Sequence, residues 1–280
     1  MEIQVADQRI LLFSNQVSLE DAKKKSWDKK IDAFGTLNKV TSFLTRTQDS
    51  DFELLYEEHR YQPFWHVIAK SKYVYDRTAS YQVPTTGSEV KSVTLLEKDF
   101  EVQNNHFHLP VMEHCSEEGY EEVLVDGITS KSMPESQKYL SYAPQLVTGS
   151  LETLVPSTSI LVPPQARVSG IMRETLSKMI RGIQADKILE EHVEVTCIDL
   201  YYRPVYAFQY RWISKNKEAI VEVDGLTGEV QFGNRIFREY LGKALDPNFL
   251  FDIAADATGM FIPGGSIAVK VAKKYLDSKN

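Results

Sequence analysis

Apolar residues recur at helical spacing most strongly in one stretch: Val168, Ile171, Met172, Thr175, Leu176, Met179, Ile180 and Ile183, after Pro163-Pro164. That spacing predicts a helix from Gln165 to about Ile183. Downstream the period shortens to that of strands. Val193 to Tyr202, Val205 to Ile213 and Ala219 to Val223 are rich in β-branched and aromatic residues, with a polar Ser214-Lys215-Asn216-Lys217 turn between the last two, so antiparallel strands are expected. An earlier stretch reads in the same order. Ser18, with Asp21 three residues later, opens a helix through roughly Phe34, and Phe52 to Glu58, Phe64 to Ser71 and Tyr73 to Val83 follow as strands.

The recurrence of order is matched by a recurrence of residues. Tyr61-Gln62-Pro63-Phe64-Trp65 parallels Tyr202-Arg203-Pro204-Val205-Tyr206, and Thr86-Gly87 stands at the same offset of 141 residues from Thr227-Gly228. A repeated unit implies a repeated supersecondary structure. The stretch Val223-Asp224-Gly225-Leu226-Thr227-Gly228-Glu229-Val230 has the residues of a tight turn between strands, and Val125-Asp126-Gly127-Ile128-Thr129 echoes it, which predicts a further hairpin after the first unit. From Asp246-Pro247-Asn248 onward, two small-residue-rich helices are expected on either side of Pro263-Gly264-Gly265, the second capped by Ser266. The fold class expected is therefore α+β: a first helix-plus-antiparallel-sheet module with its connecting segment over 1–135, a related module over 136–245, and a C-terminal helical hairpin over 246–280.

The segment Tyr202 to Trp212, continued by Glu222 to Val230, resembles the strand-and-hairpin segment of poorly characterised bacterial proteins, some of which carry an N-terminal zinc ribbon. It also resembles the end of PepSY-like modules, which close with a similar Val-Asp-x-x-Thr-Gly-Glu turn. The likeness spans about thirty residues. The chain has no cysteine quartet, so a zinc-ribbon role does not carry over. The PepSY resemblance implies a small protein-binding or inhibitory module and brings no catalytic residues.

Composition narrows the classes. Hydrophobic residues make up 42% and charged residues 25% of 280, enough apolar material for a sizeable core. A formal charge of -7 opposes a phosphate backbone, so no nucleic-acid partner is expected. Two cysteines, Cys115 and Cys197, make no disulfide framework, and the N-terminus lacks a basic region and a long apolar run, so a reducing, cytoplasmic location is expected. The longest apolar tract, Phe249 to Ala272, is broken by charges and by Pro263-Gly264-Gly265, so no transmembrane segment is expected; contact of the C-terminal hairpin with a membrane surface stays open.

Candidate chemistry gathers at His106-Phe107-His108, followed by Glu113, His114 and Cys115. Two histidines two apart on a strand point the same way, and Glu113 or a neighbour could complete a divalent-metal site; the spacing is similar to the first cupin motif, but the second motif is absent. The alternative is a polar loop and strand edge. Tyr206, Phe208, Tyr210 and Trp212 form an aromatic stripe, either buried under the Val168–Ile183 helix or open for stacking on a ligand. With no complete catalytic constellation and no cofactor motif, the expected function is a non-enzymatic protein-binding or scaffolding protein of unknown partner. The alternative is a metal-binding protein or metal-dependent enzyme using His106, His108 and Glu113.

Overall fold

The computed structural model describes residues 2–35 and 48–233. In chain order its strands are Glu2–Val5 (β1), Gln8–Leu12 (β2), Phe52–Pro84 (β3), Ser92–Leu95 (β4), Lys98–Glu101 (β5), His106–Asp126 (β6), Gln145–Leu146 (β7), Ile160–Leu161 (β8), Lys187–Trp212 (β9), Lys217–Asp224 (β10) and Val230–Gly233 (β11). The α-helices among the described residues are Leu19–Lys29 (α1) and Val168–Met179 (α2). The fold is mostly β, which corrects the α+β expectation: nine strands join one mixed sheet instead of forming two separate helix-plus-sheet modules. The helical hairpin expected over 246–280 lies outside the described residues.

Two very long strands explain the difference. β3 runs 33 residues and β9 runs 26, each passing straight through the Tyr-x-Pro motif where a break between strands was expected. Proline inside a strand costs a ladder hydrogen bond only if its missing N–H faces a paired neighbour. The C=O of Pro63 accepts from Gly127 N–H at 3.0 Å and that of Pro204 from Gly225 N–H at 2.9 Å, so the proline nitrogens face tight turns where the neighbouring strands β6 and β10 have ended. No ladder bond is lost. The Asp-Gly turns then sit tightly against the prolines.

β3 and β9 pair antiparallel from Phe52↔Trp212 to Asp76↔Lys187, and Gln62 lies opposite Arg203. Those two residues are also equivalent in the 141-residue offset, so a pseudo-two-fold axis passes between them. The surroundings obey it. β2 runs parallel to β9, with Leu12 opposite Tyr202, while β8 runs parallel to β3, with Leu161 opposite Tyr61. Gln16 and Val17 donate their N–H groups to Gly225 C=O at 2.8 and 3.0 Å; Gln165 and Ala166 donate to Gly127 C=O at 2.7 and 2.9 Å. α1 and α2 start directly after these pairs. Each leading segment, strand plus helix, thus docks on the hairpin of the other half. The true partner of the Asp224 turn is Asp126-Gly127-Ile128-Thr129, not Thr86-Gly87, which belongs to an exposed loop.

Both helices cover one face of the sheet. α2 contributes Val168, Ile171, Met172, Leu176 and Met179 to a core with Trp65, Val67, Tyr73, Val195 and Leu200. The aromatic stripe Tyr206, Phe208, Tyr210 and Trp212 is fully buried, and its first three members pack with α1 rather than α2. Stacking on a ligand is therefore closed to it. The opposite face is covered by the 134–141 turn of helix, where Tyr139 packs with Phe13, Phe64, Leu124 and Tyr201. Among the described residues no helix is long and apolar enough to cross a membrane.

Candidate functional site

The residues singled out in the sequence fall on β6, and the strand separates them. The β3–β6 ladder runs without a register shift from Phe64↔Asp126 to Pro84↔His106, so β6 alternates strictly. His106 and His108 point to one face; Glu113 and Cys115, at odd positions, point to the other. His106 Nδ1 lies 2.9 Å from Asn104 C=O, and His108 Nδ1 lies 3.5 Å from Ser80 Oγ. Glu113 instead accepts from Tyr81 Oη at 2.7 Å and Arg77 Nε at 2.6 Å, and these bonds hold its carboxyl below the usual carboxylate range. His114 pairs with Asp76 at 2.6 Å. The geometry does not bring His106, His108 and Glu113 together around one ion.

What those residues do share is an arm. The β3–β9 pairing stops at Asp76↔Lys187, whereas β3 and β6 stay paired for eight further pairs, Arg77↔Glu113 through Pro84↔His106, or about 27 Å of two-stranded ribbon. At its tip β4 and β5 form a separate two-stranded hairpin, and Phe100 packs on Phe107 at 5.7 Å between ring centroids. Tyr81, Leu95, Leu96 and Met112 are exposed on the arm and tip.

A second constellation lies on the sheet face away from the helices. Arg9, Asp199 and His66 stand in one row across β2, β9 and β3, and Cys197 and Glu122 stand in the next row on β9 and β6, flanking Ile68 of β3. A bulge sets the second row: Ile68 pairs with Cys197 and Ala69 with Val195, leaving Thr196 as the extra residue. His66, Cys197 and Asp199 are each more than nine-tenths buried, and one ligand atom from each lies within 4.8 Å of the others. Cys197 Sγ is 3.8 Å from His66 Nδ1. The other ring nitrogen, Nε2, sits 2.7 Å from Glu122 Oε1. Arg9 grips Asp199 with two bonds of 2.7 Å, and Tyr201 Oη reaches the same carboxylate at 3.4 Å.

Electrostatics fixes the protons here. Burial would raise the Glu122 carboxyl, but hydrogen bonds from His66, Tyr120 and Gln137 outweigh it and hold the carboxyl below its ordinary value. An ionised Glu122 can only accept, so His66 Nε2 carries the proton it donates. Burial, helped by Asp199, pushes the Cys197 thiol up to about 12, so the sulfur rests as the thiol and not as an attacking thiolate. The sequence does not bring His66 and Cys197 together, because 131 residues separate them in the chain. The one local signal is Cys197-x-Asp199, two residues sharing a strand face. Comparison with family models, with curated proteins and with solved structures finds no match.

Proposed function

We propose that the protein is a non-enzymatic binding protein of a reducing, cytoplasmic setting that holds a protein partner through the β3–β6 arm. The observation that carries this reading is the ribbon's extension past Asp76↔Lys187. A two-stranded ribbon is marginally stable alone, and this one adds none of its exposed apolar side chains to the cores of the body. An arm that contributes so little to folding while exposing Tyr81, Leu96 and Met112 has its use outside the chain. The net charge of -7 argues for protein over nucleic acid as the partner, and the PepSY-like turn fits the same class.

The test replaces Thr78–Met112 by Asn-Gly, which closes β3 onto β6 with a two-residue turn. The shortened chain is expected to keep its thermal midpoint within a few degrees and to lose the proteins that cross-link to the full-length chain in cells. If the same proteins cross-link to both chains, the arm is not the contact element.

A further inference from the structure

Independently of the arm, we infer that His66, Cys197 and Asp199 form a binding site for one divalent transition-metal ion of the zinc class, with Glu122 as the residue that aims His66. The donors are mixed nitrogen, sulfur and oxygen, the combination zinc takes, and three protein ligands leave a fourth position for water or an incoming ligand. In a tetrahedral zinc site a sulfur and an imidazole nitrogen stand about 3.6 Å apart. Cys197 Sγ and His66 Nδ1 stand 3.8 Å apart before any ion draws them in.

The ring is already aimed for the task. Glu122 Oε1, 2.7 Å from His66 Nε2, accepts a hydrogen bond on the far side of the ring, so Nδ1 is the nitrogen that faces the sulfur. A carboxylate behind a ligating histidine is the arrangement that orients and strengthens metal-bound imidazoles. Glu122 is itself held by Tyr120 Oη at 2.9 Å and Gln137 Nε2 at 3.4 Å. Asp199 is shared with Arg9, whose two bonds occupy one lone pair on each oxygen and leave others for an ion. The Arg9 side chain is 55% exposed, so it can swing outward as the ion enters, whereas the Asp199 side chain is 1% exposed and stays. On binding, the Cys197 S–H bond breaks: its electron pair passes to the metal and its proton leaves to solvent. No oxidant or reductant is needed, since the metal keeps its charge state.

The experiment is a cobalt(II) titration of chelator-treated full-length protein, followed by displacement with zinc. We expect one equivalent of cobalt, a near-ultraviolet thiolate-to-cobalt charge-transfer band, and loss of that band on adding zinc. Only two cysteines exist in the chain, so Cys115→Ser must keep the band and Cys197→Ser must lose it. Glu122→Gln is expected to keep the thiolate band while weakening binding roughly 10- to 100-fold, with the apo thermal midpoint little changed. His106→Ala/His108→Ala is expected to leave the titration untouched. Cobalt uptake without a thiolate band, a band lost in Cys115→Ser, or no uptake would overturn the site. Should Cys197→Ser not fold, the Cys115→Ser spectrum still assigns the sulfur.

Discussion

At the residue scale, the sharpest constraint is the pair of glycines that follow Asp126 and Asp224. A Cβ built on Gly127 would stand 2.7 Å from the Pro63 carbonyl oxygen, and one on Gly225 would stand 2.9 Å from that of Pro204, both backbone atoms that cannot rotate away. Gly127→Ala and Gly225→Ala are therefore each expected to cost roughly 1–3 kcal/mol in urea unfolding, while Gly149→Ala, with open space around it, stays within about 0.5 kcal/mol. Equal effects at all three would mean the close approach is not what holds the turns. The Asp-Gly-x-Thr echo is plain in the sequence; its equivalence to the later turn is not, because the chain between motif and turn has a different length in each half. His59 supplies a second residue-scale consequence. It stacks on Tyr206 at 4.6 Å and lies between Ser159 Oγ at 2.7 Å and Asn15 Oδ1 at 3.0 Å; burial lowers its pKa from 6.5 to about 4. Because the folded value lies below the unfolded one, the unfolded chain binds the proton first as pH falls. The stability that neutral His59 contributes is complete above pH 6.5 and drains away as pH falls toward 4. His59→Gln is expected to remove about 1–2 kcal/mol of the loss seen between pH 7.5 and pH 5, after allowing for partial exposure. Identical pH profiles for the two chains would remove His59 from the account.

At the element scale, what was legible follows from how local each signal is. The helix over Val168–Met179 is encoded by one apolar stripe, and six of its residues are buried as that stripe requires. The Ser18 cap is encoded within one turn, and Asp21 N–H donates to Ser18 Oγ at 3.1 Å as the motif predicts. The strands are another matter. Tyr-Gln-Pro and Tyr-Arg-Pro read as punctuation, yet both prolines lie within long strands because their nitrogens face turns that only the tertiary fold supplies. The helix partners were illegible for the same reason. Proximity in sequence pairs α2 with the Tyr206–Trp212 stripe, whereas exchange places α1 there, with Trp27 edge-on to Tyr210 at 5.7 Å and Ser26 Oγ 2.7 Å from its hydroxyl. The metal cluster shows the limit most clearly. A strand period groups Cys197 with Asp199 and groups His106 with His108, but only the β3–β9 register decides that the first pair meets a third ligand, His66; the second pair misses Glu113 because β6 runs through all three without a break and its alternation puts Glu113 on the other face.

At the scale of the whole molecule, the architecture is that of an exchanged dimer written into one chain. β2 and α1 of the first half complete β9 and β10, while β8 and α2 of the second half complete β3 and β6. Neither half can close its own core. The packing around Tyr206, Phe208 and Tyr210 has its sheet in one half and its helix residues Ala22 and Trp27 in the other, and the core around Trp65 and Tyr73 likewise takes Ile171, Met172 and Leu176 from across the axis. Burying several large apolar side chains in each case contributes on the order of 10 kcal/mol, comparable to the whole stability of a domain, so losing either interface leaves no folded remainder. Cleavage between Gly149 and Ser150, in the segment that joins the halves, tests this directly. Residues 1–149 and 150–280 expressed apart are expected to show no cooperative unfolding transition, and mixed they are expected to form a 1:1 complex with the circular dichroism of the intact chain and one transition. If either fragment alone melts cooperatively, the halves are independent units and the exchange of leading segments is decorative; if they recombine only together, the pseudo-two-fold axis through Gln62 and Arg203 is the folding unit itself.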